Sequence, residues 1–225
     1  EGSSGIYNWD LDGDGSYDDA SGTNTLFNAS ALNGPATRTV GLEVTSDCGL
    51  SGIATGTTTT TINIANVSPS IDSLSGDSQG DEGEALSWTL TWSDPGASDT
   101  HTITWDPGDG AGASTGGDTF THSYADEGSY SLEVVITDSD GGSSTDSMVV
   151  TVANHAPILS DLIAPNGGEG QNLTFSVTVE DPGTNDSVSY QWDFGDGSSA
   201  TGSANVQHAY ADNGSYTVTF TASDD

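Results

Sequence analysis

Two stretches of the chain repeat one another, Trp105 with Trp192 at a spacing of 87 residues and His122 with His208 at 86. The first reads WDPGDG from Trp105 to Gly110 and resumes as HSYADEGSYSLEVVITDSDGG from His122 to Gly142. The second reads WDFGDG from Trp192 to Gly197 and resumes as HAYADNGSYTVTFTASDD from His208 to Asp225. A weaker copy, WDLDGDG, runs from Trp9 to Gly15. Self-similarity at a fixed period marks an array of domains, and 225 residues suit two or three of them. Recurrence also sorts residues. One that returns in every copy is expected to hold the fold, and one special to a single copy is the better functional candidate.

Within the copies the apolar residues keep a period of two. Leu86, Trp88, Leu90 and Trp92 alternate with polar residues. So do Ile103 and Trp105, then Tyr130 to Ile136, then Met148 to Val152. Repeat 3 does the same at Leu173 to Val179, Val188 to Trp192 and Tyr216 to Phe220. That period belongs to half-buried strands, and the clusters SDPGASD, DPGDGAG, ADEG and DSDGG between them are turn sequences. Short strands at such spacing predict an all-β chain of antiparallel β-sandwiches.

The segment WDFGDGS followed by HAYADNGSYTVTFT resembles the signature of the PKD domain, the polycystic-kidney-disease-type immunoglobulin-like module. Repeat 2 matches nearly as well, with Pro107 where the family usually has an aromatic. Repeat 1 diverges, with Arg38 where the other copies have Tyr130 and Tyr216. The resemblance implies tandem seven-stranded, two-sheet sandwiches of a bacterial extracellular repeat protein. The expected domains are 1–66, partial and divergent, 67–154, complete, and 155–225, without its last strand. The first and last copies are incomplete, which predicts either a window from a longer repetitive chain or subunits that donate strands to one another. The joints fall at Ala65 to Pro69 and Ala153 to Pro157. Such short connections predict semi-rigid neighbours, hence a rod.

Charge is the outlier of the composition. Arg38 is the one basic residue among Lys and Arg, against 34 acids, for a net charge of -33. This argues against nucleic acid and anionic lipid as partners and for multivalent cations. No apolar run is long enough to insert in a membrane. Cys48 has no partner for an internal disulfide and reads as an incidental thiol in a hairpin turn.

The densest candidate is DLDGDGSYDD, with Asp10, Asp12, Asp14, Asp18 and Asp19. Its D-x-D-x-D-G spacing matches the first half of a calcium loop, where alternate carboxylates converge and a glycine permits the turn. Ser21 stands where a helix-hand loop places its bidentate Glu, so the reading is a calcium-binding β-turn loop. The recurring pairs Asp106 with Asp109, and Asp193 with Asp196, read as turn formers. His122 and His208 read as packing at a strand entrance, and Tyr130 and Tyr216 as tyrosine corners. Trp88, Trp92 and Trp192 point inward by period, as core. The resemblance adds a second candidate, since some PKD-like domains bind calcium where the entering linker meets the turn after the second strand. The matching residues are Asn66 with Asp94, and Asn154 with Asp181 and its neighbour Glu180.

Neither a phosphate loop, a Cys/His cluster nor a nucleophile elbow occurs in the sequence. The expected function is a non-enzymatic, calcium-stiffened rod, stalk or fibre, secreted or on a cell surface. Its expected partners are further copies of the module, or an extracellular polysaccharide or protein matrix. The alternatives are an accessory array on a secreted hydrolase and a glycan- or matrix-binding adhesion module.

Overall fold

The computed structural model describes residues 5–29, 32, 34–47 and 52–224. Among these residues it contains strands and no helix. Cys48 lies outside the described residues.

Repeat 1 forms one antiparallel sheet. Its strands β1 (Gly5–Asp10), β2 (Ala20–Ser21), β3 (Ala36–Asp47) and β4 (Ile53–Ile64) lie in the order β2-β1-β3-β4. The ladder from Ala36↔Ile64 to Asp47↔Ile53 is unbroken. The threonine run Thr57 to Thr61 lies inside β4 and is exposed, as suits β-branched residues on a strand face that meets water.

Repeat 2 is a sandwich. Its strands are β5 (Ser70–Gly76), β6 (Gln79–Asp81), β7 (Leu86–Ser93), β8 (His101–Asp106), β9 (Ser114–Gly116), β10 (Thr119–His122), β11 (Gly128–Asp138) and β12 (Ser143–Ala153). One sheet runs β10-β7-β5 and the other β6-β12-β11-β8-β9. Consecutive β5 and β6 belong to different sheets, and β6 runs parallel to β12. Counted as one strand that changes sheets, they leave the seven expected. The alternation read from the sequence is the burial pattern seen. Leu86, Trp88 and Leu90 of β7 pack against Ile103 and Trp105 of β8, with β11 and β12 completing the core. Trp105, Leu132, Val134, Ile136 and Val150 are wholly buried, and each large apolar side chain so buried contributes about 1.5–3 kcal/mol.

Repeat 3 has β13 (Ile158–Ile163), β14 (Leu173–Glu180), β15 (Ser189–Asp193), β16 (Ser199–Thr201), β17 (Asn205–His208) and β18 (Thr219–Ser223). Its sheets are β13-β14-β17 and β16-β15-β18, around a core of Phe175, Trp192 and Phe194. Strand β18 is the counterpart of β11 but has 5 residues where β11 has 11. The register explains the difference. In β11, Gly128 to Leu132 pair with β12 alone, Glu133 to Thr137 pair with both β12 and β8, and Asp138 pairs with β8 alone. In repeat 3 the described residues include no equivalent of β12. Only Thr219 to Ser223, opposite β15, are held in a ladder. A backbone becomes strand where its N–H and C=O groups find partners.

All-β order around indole cores gives a direct test. Trp105→Ala and Trp192→Ala should each destabilise their own sandwich by about 3–5 kcal/mol. Urea melts of the full chain should show that domain's transition moving to lower denaturant.

Candidate metal centres

In the loop after Trp9, backbone amides fold the carboxylates inward. Buried Asp10 accepts from Gly13 N–H at 2.6 Å through Oδ1 and from Gly15 N–H at 3.0 Å through Oδ2. Asp12 and Asp14 each accept from the amide two residues on, at 3.0 and 2.6 Å. Oxygens of Asp10, Asp12 and Asp14 lie within 4.8 Å of one another. Asp19 closes the loop from the far side, its Oδ2 accepting from Leu11 and Asp12 N–H at 2.6 and 3.1 Å. Asp18 is exposed and is not among the three that converge.

The WDxGDG turns have a different geometry. Asp106 and Asp193 accept from Gly108 and Gly195 N–H, and Asp109 and Asp196 accept from Ala111 and Ser198 N–H, all at 2.9 Å. Gly108 and Gly195 have φ of 80° and 78°, a conformation that glycine adopts without strain. Each carboxylate pair is therefore occupied in making its own turn. His122 Nε2 lies 2.7 Å from Asp109 Oδ2, and His208 Nε2 lies 2.8 Å from Asp196 Oδ2. The imidazoles stack on aromatic neighbours, His208 on Phe194 with centroids 4.1 Å apart. Tyr124 and Tyr210 donate to the carbonyls of Pro107 and Phe194. Tyr130 and Tyr216 donate to Asp126 and Asp212, four residues upstream, as a tyrosine corner requires. The Ser198 hydroxyl and amide, and then His208, hold the Asp196 carboxyl down to about 2.

Two more acidic groups sit where one repeat enters the next. At the first joint, Asp94, Asp99 and Asp138 bring oxygens within 4.8 Å of one another. Linker residue Asn66 reaches this group by donating its Nδ2–H to Asp138 Oδ2 at 2.8 Å. Asp138 Oδ1 accepts from Asp140 and Gly142 N–H, and Asp94 accepts from Gly96 N–H at 2.7 Å. His101 Nε2 lies 2.8 Å from Asp94 Oδ2. The Asn66 amide, with the amides of the following turn, holds the Asp138 carboxyl below its ordinary range. Burial, together with the charges of Asp94, Asp140 and Asp138, pushes Asp99 up. Hydrogen bonds to the charged form hold one carboxyl down, while burial and then neighbouring like charges push the other up.

At the second joint, Glu82, Asp181, Asp186 and Asp224 converge within the same limit. Asn154 Nδ2–H donates to Asp224 Oδ1 at 3.2 Å, and Asp181 Oδ1 accepts from Gly183 N–H at 3.1 Å. Asn66 and Asn154 thus hold equivalent places, as do Asp94 and Asp181. Glu180 is exposed and stands outside the group. Sequence reading missed Asp99, Asp138, Asp186 and Asp224. Asp99 and Asp186 were detectable, since each follows its partner Asp94 or Asp181 by five residues. Glu82 comes from the preceding domain and left no signal in the sequence.

The family model described as the PKD domain matches residues 66–152 and again 154–225. The chain belongs to the PKD family. Its PKD modules are similar to the PKD domain of an M14-like peptidase from Thermoplasmatales archaeon SCGC AB-540-F20. That match has 26% identity over 39% of this chain and 98% of the other, with a TM-score of 0.34. The PKD1 domain of Vibrio cholerae metalloprotease PrtV matches at 29% identity over 38% and 98%, with a TM-score of 0.31. The PKD1 domain of Vibrio anguillarum Epp matches at 22% over 39% and 95%, also at 0.31. PKD domains are immunoglobulin-like modules, generally non-catalytic and typical of secreted or extracellular proteins. No helix among the described residues is long and apolar enough to cross a membrane.

The turn carboxylates predict an acid signature. Asp196 in the folded chain titrates at about 2, below its ordinary 3.8. A depressed carboxyl contributes stability that is present above the unfolded value and lost as pH falls through the folded one. Asp196→Asn should therefore destabilise repeat 3 at neutral pH, with the difference from the parent shrinking between pH 4 and pH 2. Paired melts across that range check it. An NMR titration of the Asp196 carboxyl should give its midpoint directly.

Proposed function

We propose that the chain is a non-enzymatic structural array whose joints take calcium, so that its PKD sandwiches stand as a semi-rigid rod, stalk or fibre of a secreted or cell-surface protein. One observation carries this reading. At each joint the linker asparagine is hydrogen-bonded into an acidic group of the domain it enters. A rigid linker needs a cause beyond its own few residues. An ion held by the carboxylates that grip the asparagine supplies one.

Calcium suits these groups better than a transition metal. Their donors are carboxylate oxygens, and Ca²⁺ takes six to eight oxygen ligands in flexible geometry. Asp10, Asp12 and Asp14 offer a third site of the same chemistry, inside repeat 1. The partners of such an array are further copies of the module in a longer chain or fibre. Direct glycan binding has less support. Trp88, Trp105 and Trp192 are buried, Trp9 and Trp92 are half-buried, and all five indole N–H groups are hydrogen-bonded within the chain.

Thermal melts in calcium, in chelator and in matched sodium chloride test the reading. Each joint should gain about 2.7 kcal/mol when calcium stands a hundredfold above its Kd. Asp94→Asn and Asp181→Asn should each remove one such increment. If sodium chloride alone restores the stability lost to chelator, the carboxylates respond to screening and the specific sites are wrong.

A further inference from the structure

Glu82 is 2% exposed, yet it is a carboxylate at the boundary between two domains. It leaves repeat 2 in the turn between β6 and β7, fixed there by Glu82 N–H to Ala153 C=O at 3.0 Å and Gly83 N–H to Tyr124 C=O at 2.8 Å. Its Oε1 accepts from the linker amide of His155 at 2.7 Å. Its Oε2 is buried and has no hydrogen-bond partner. One carboxylate oxygen of Glu82 lies within 4.8 Å of oxygens from three aspartates of repeat 3, and the Oδ2 atoms of Asp181 and Asp224 are likewise buried without a donor. Three carboxylates of one group thus each give one oxygen to a protein N–H and keep the other buried without a donor. A buried carboxylate oxygen with neither donor nor counter-charge is costly. The chain has no lysine, and its one arginine is in repeat 1.

The space for this approach is built into both surfaces. A Cβ on Gly183 would sit 2.7 Å from the Glu82 carboxyl carbon, and a Cβ on Gly83 would sit 2.9 Å from Pro182 Cβ. Glycine at both positions lets the turn of repeat 2 close on the turn of repeat 3. Exposed Asp126 and Glu127 add to the negative charge beside Glu82 and Asp186. Without a cation, the two faces repel.

We propose that Glu82 is a ligand contributed by repeat 2 to a divalent cation otherwise held by repeat 3, so that the ion clamps these two domains directly. The first joint's acidic group is composed differently among the described residues. It draws Asp94, Asp99 and Asp138 all from repeat 2, and among the described residues repeat 1 contributes none. His101 occupies Asp94 there, whereas the equivalent position in repeat 3 is Val188. The ion therefore fixes the orientation of repeat 3 on repeat 2. This inference rests on the proposal that the joints bind calcium.

The test uses the full chain with Cys48→Ser and spin labels at exposed Thr115 and Thr201, one on each side of the second joint. Calcium should narrow the distance distribution between the labels in the parent. In Glu82→Gln it should not, and calorimetry should show one calcium step weakened by about tenfold or more, since charge count sets affinity in such sites. Glu169→Gln, at the equivalent position of repeat 3, should behave as the parent. A merely structural Glu82 would lose stability in any buffer when replaced. A ligand predicts a reversal: Glu82→Gln should match or exceed the parent in chelator and fall below it in calcium. If Glu82→Gln narrows and binds like the parent while Asp181→Asn loses a calcium step, the clamp is wrong and the joint site stands. If the parent shows no calcium step in matched sodium chloride, both are wrong.

Discussion

A chain with 34 acids and one arginine has to satisfy its carboxylates without salt bridges to basic side chains. It does so chiefly with backbone amides. Asp10, Asp106, Asp109, Asp138, Asp193 and Asp196 each accept from N–H groups of the turn that follows. A carboxylate bound in this way is stabilised in its charged form, and the turn is fixed by the same bonds. The acidity is thus part of the local architecture as well as a surface property. The histidines serve the same economy, with His101, His122 and His208 each set against one aspartate.

Backbone amides run out at the joints. Two domains meet there, and the amides present reach only one oxygen of each of three carboxylates. The other oxygens of Glu82, Asp181 and Asp224 are left without donors. On the proposed reading, stiffness of the array depends on what supplies positive charge at these points. Among the described residues the two groups differ in composition: His101 stands in the first where the equivalent position of the second is Val188, and Glu82 joins the second from the preceding domain.

The fold was largely legible in the sequence, for a physical reason. Strands with one buried face alternate strictly, so Leu86, Trp88 and Leu90, or Leu173, Phe175 and Val177, declare their orientation residue by residue. The turn aspartates and tyrosine corners were legible because their bonds span only two to four residues. The joints were half legible. Asn66 and Asn154, with Asp94 and Asp181, follow from the resemblance to PKD domains. Asp138 and Asp224 did not, although they recur. The rule that recurring residues are scaffold fails for a site that itself recurs at every joint. An aspartate at the end of a strand reads as a turn former, and Asp138 is one, but its second oxygen reaches across to the linker.

By itself the sequence determined the repeat, the period-two strands, the turns and the absence of basic counter-charge, since each of these is a property of neighbouring residues or of composition. Only the tertiary structure decided which carboxylates share a site. Asp94 and Asp138 are far apart along the chain and meet because β7 and β11 end at the same pole of the sandwich. Glu82 meets Asp224 because one domain is set on the next. Pairing across sheets and across domains depends on register and packing, and neither is written in the local order of residues.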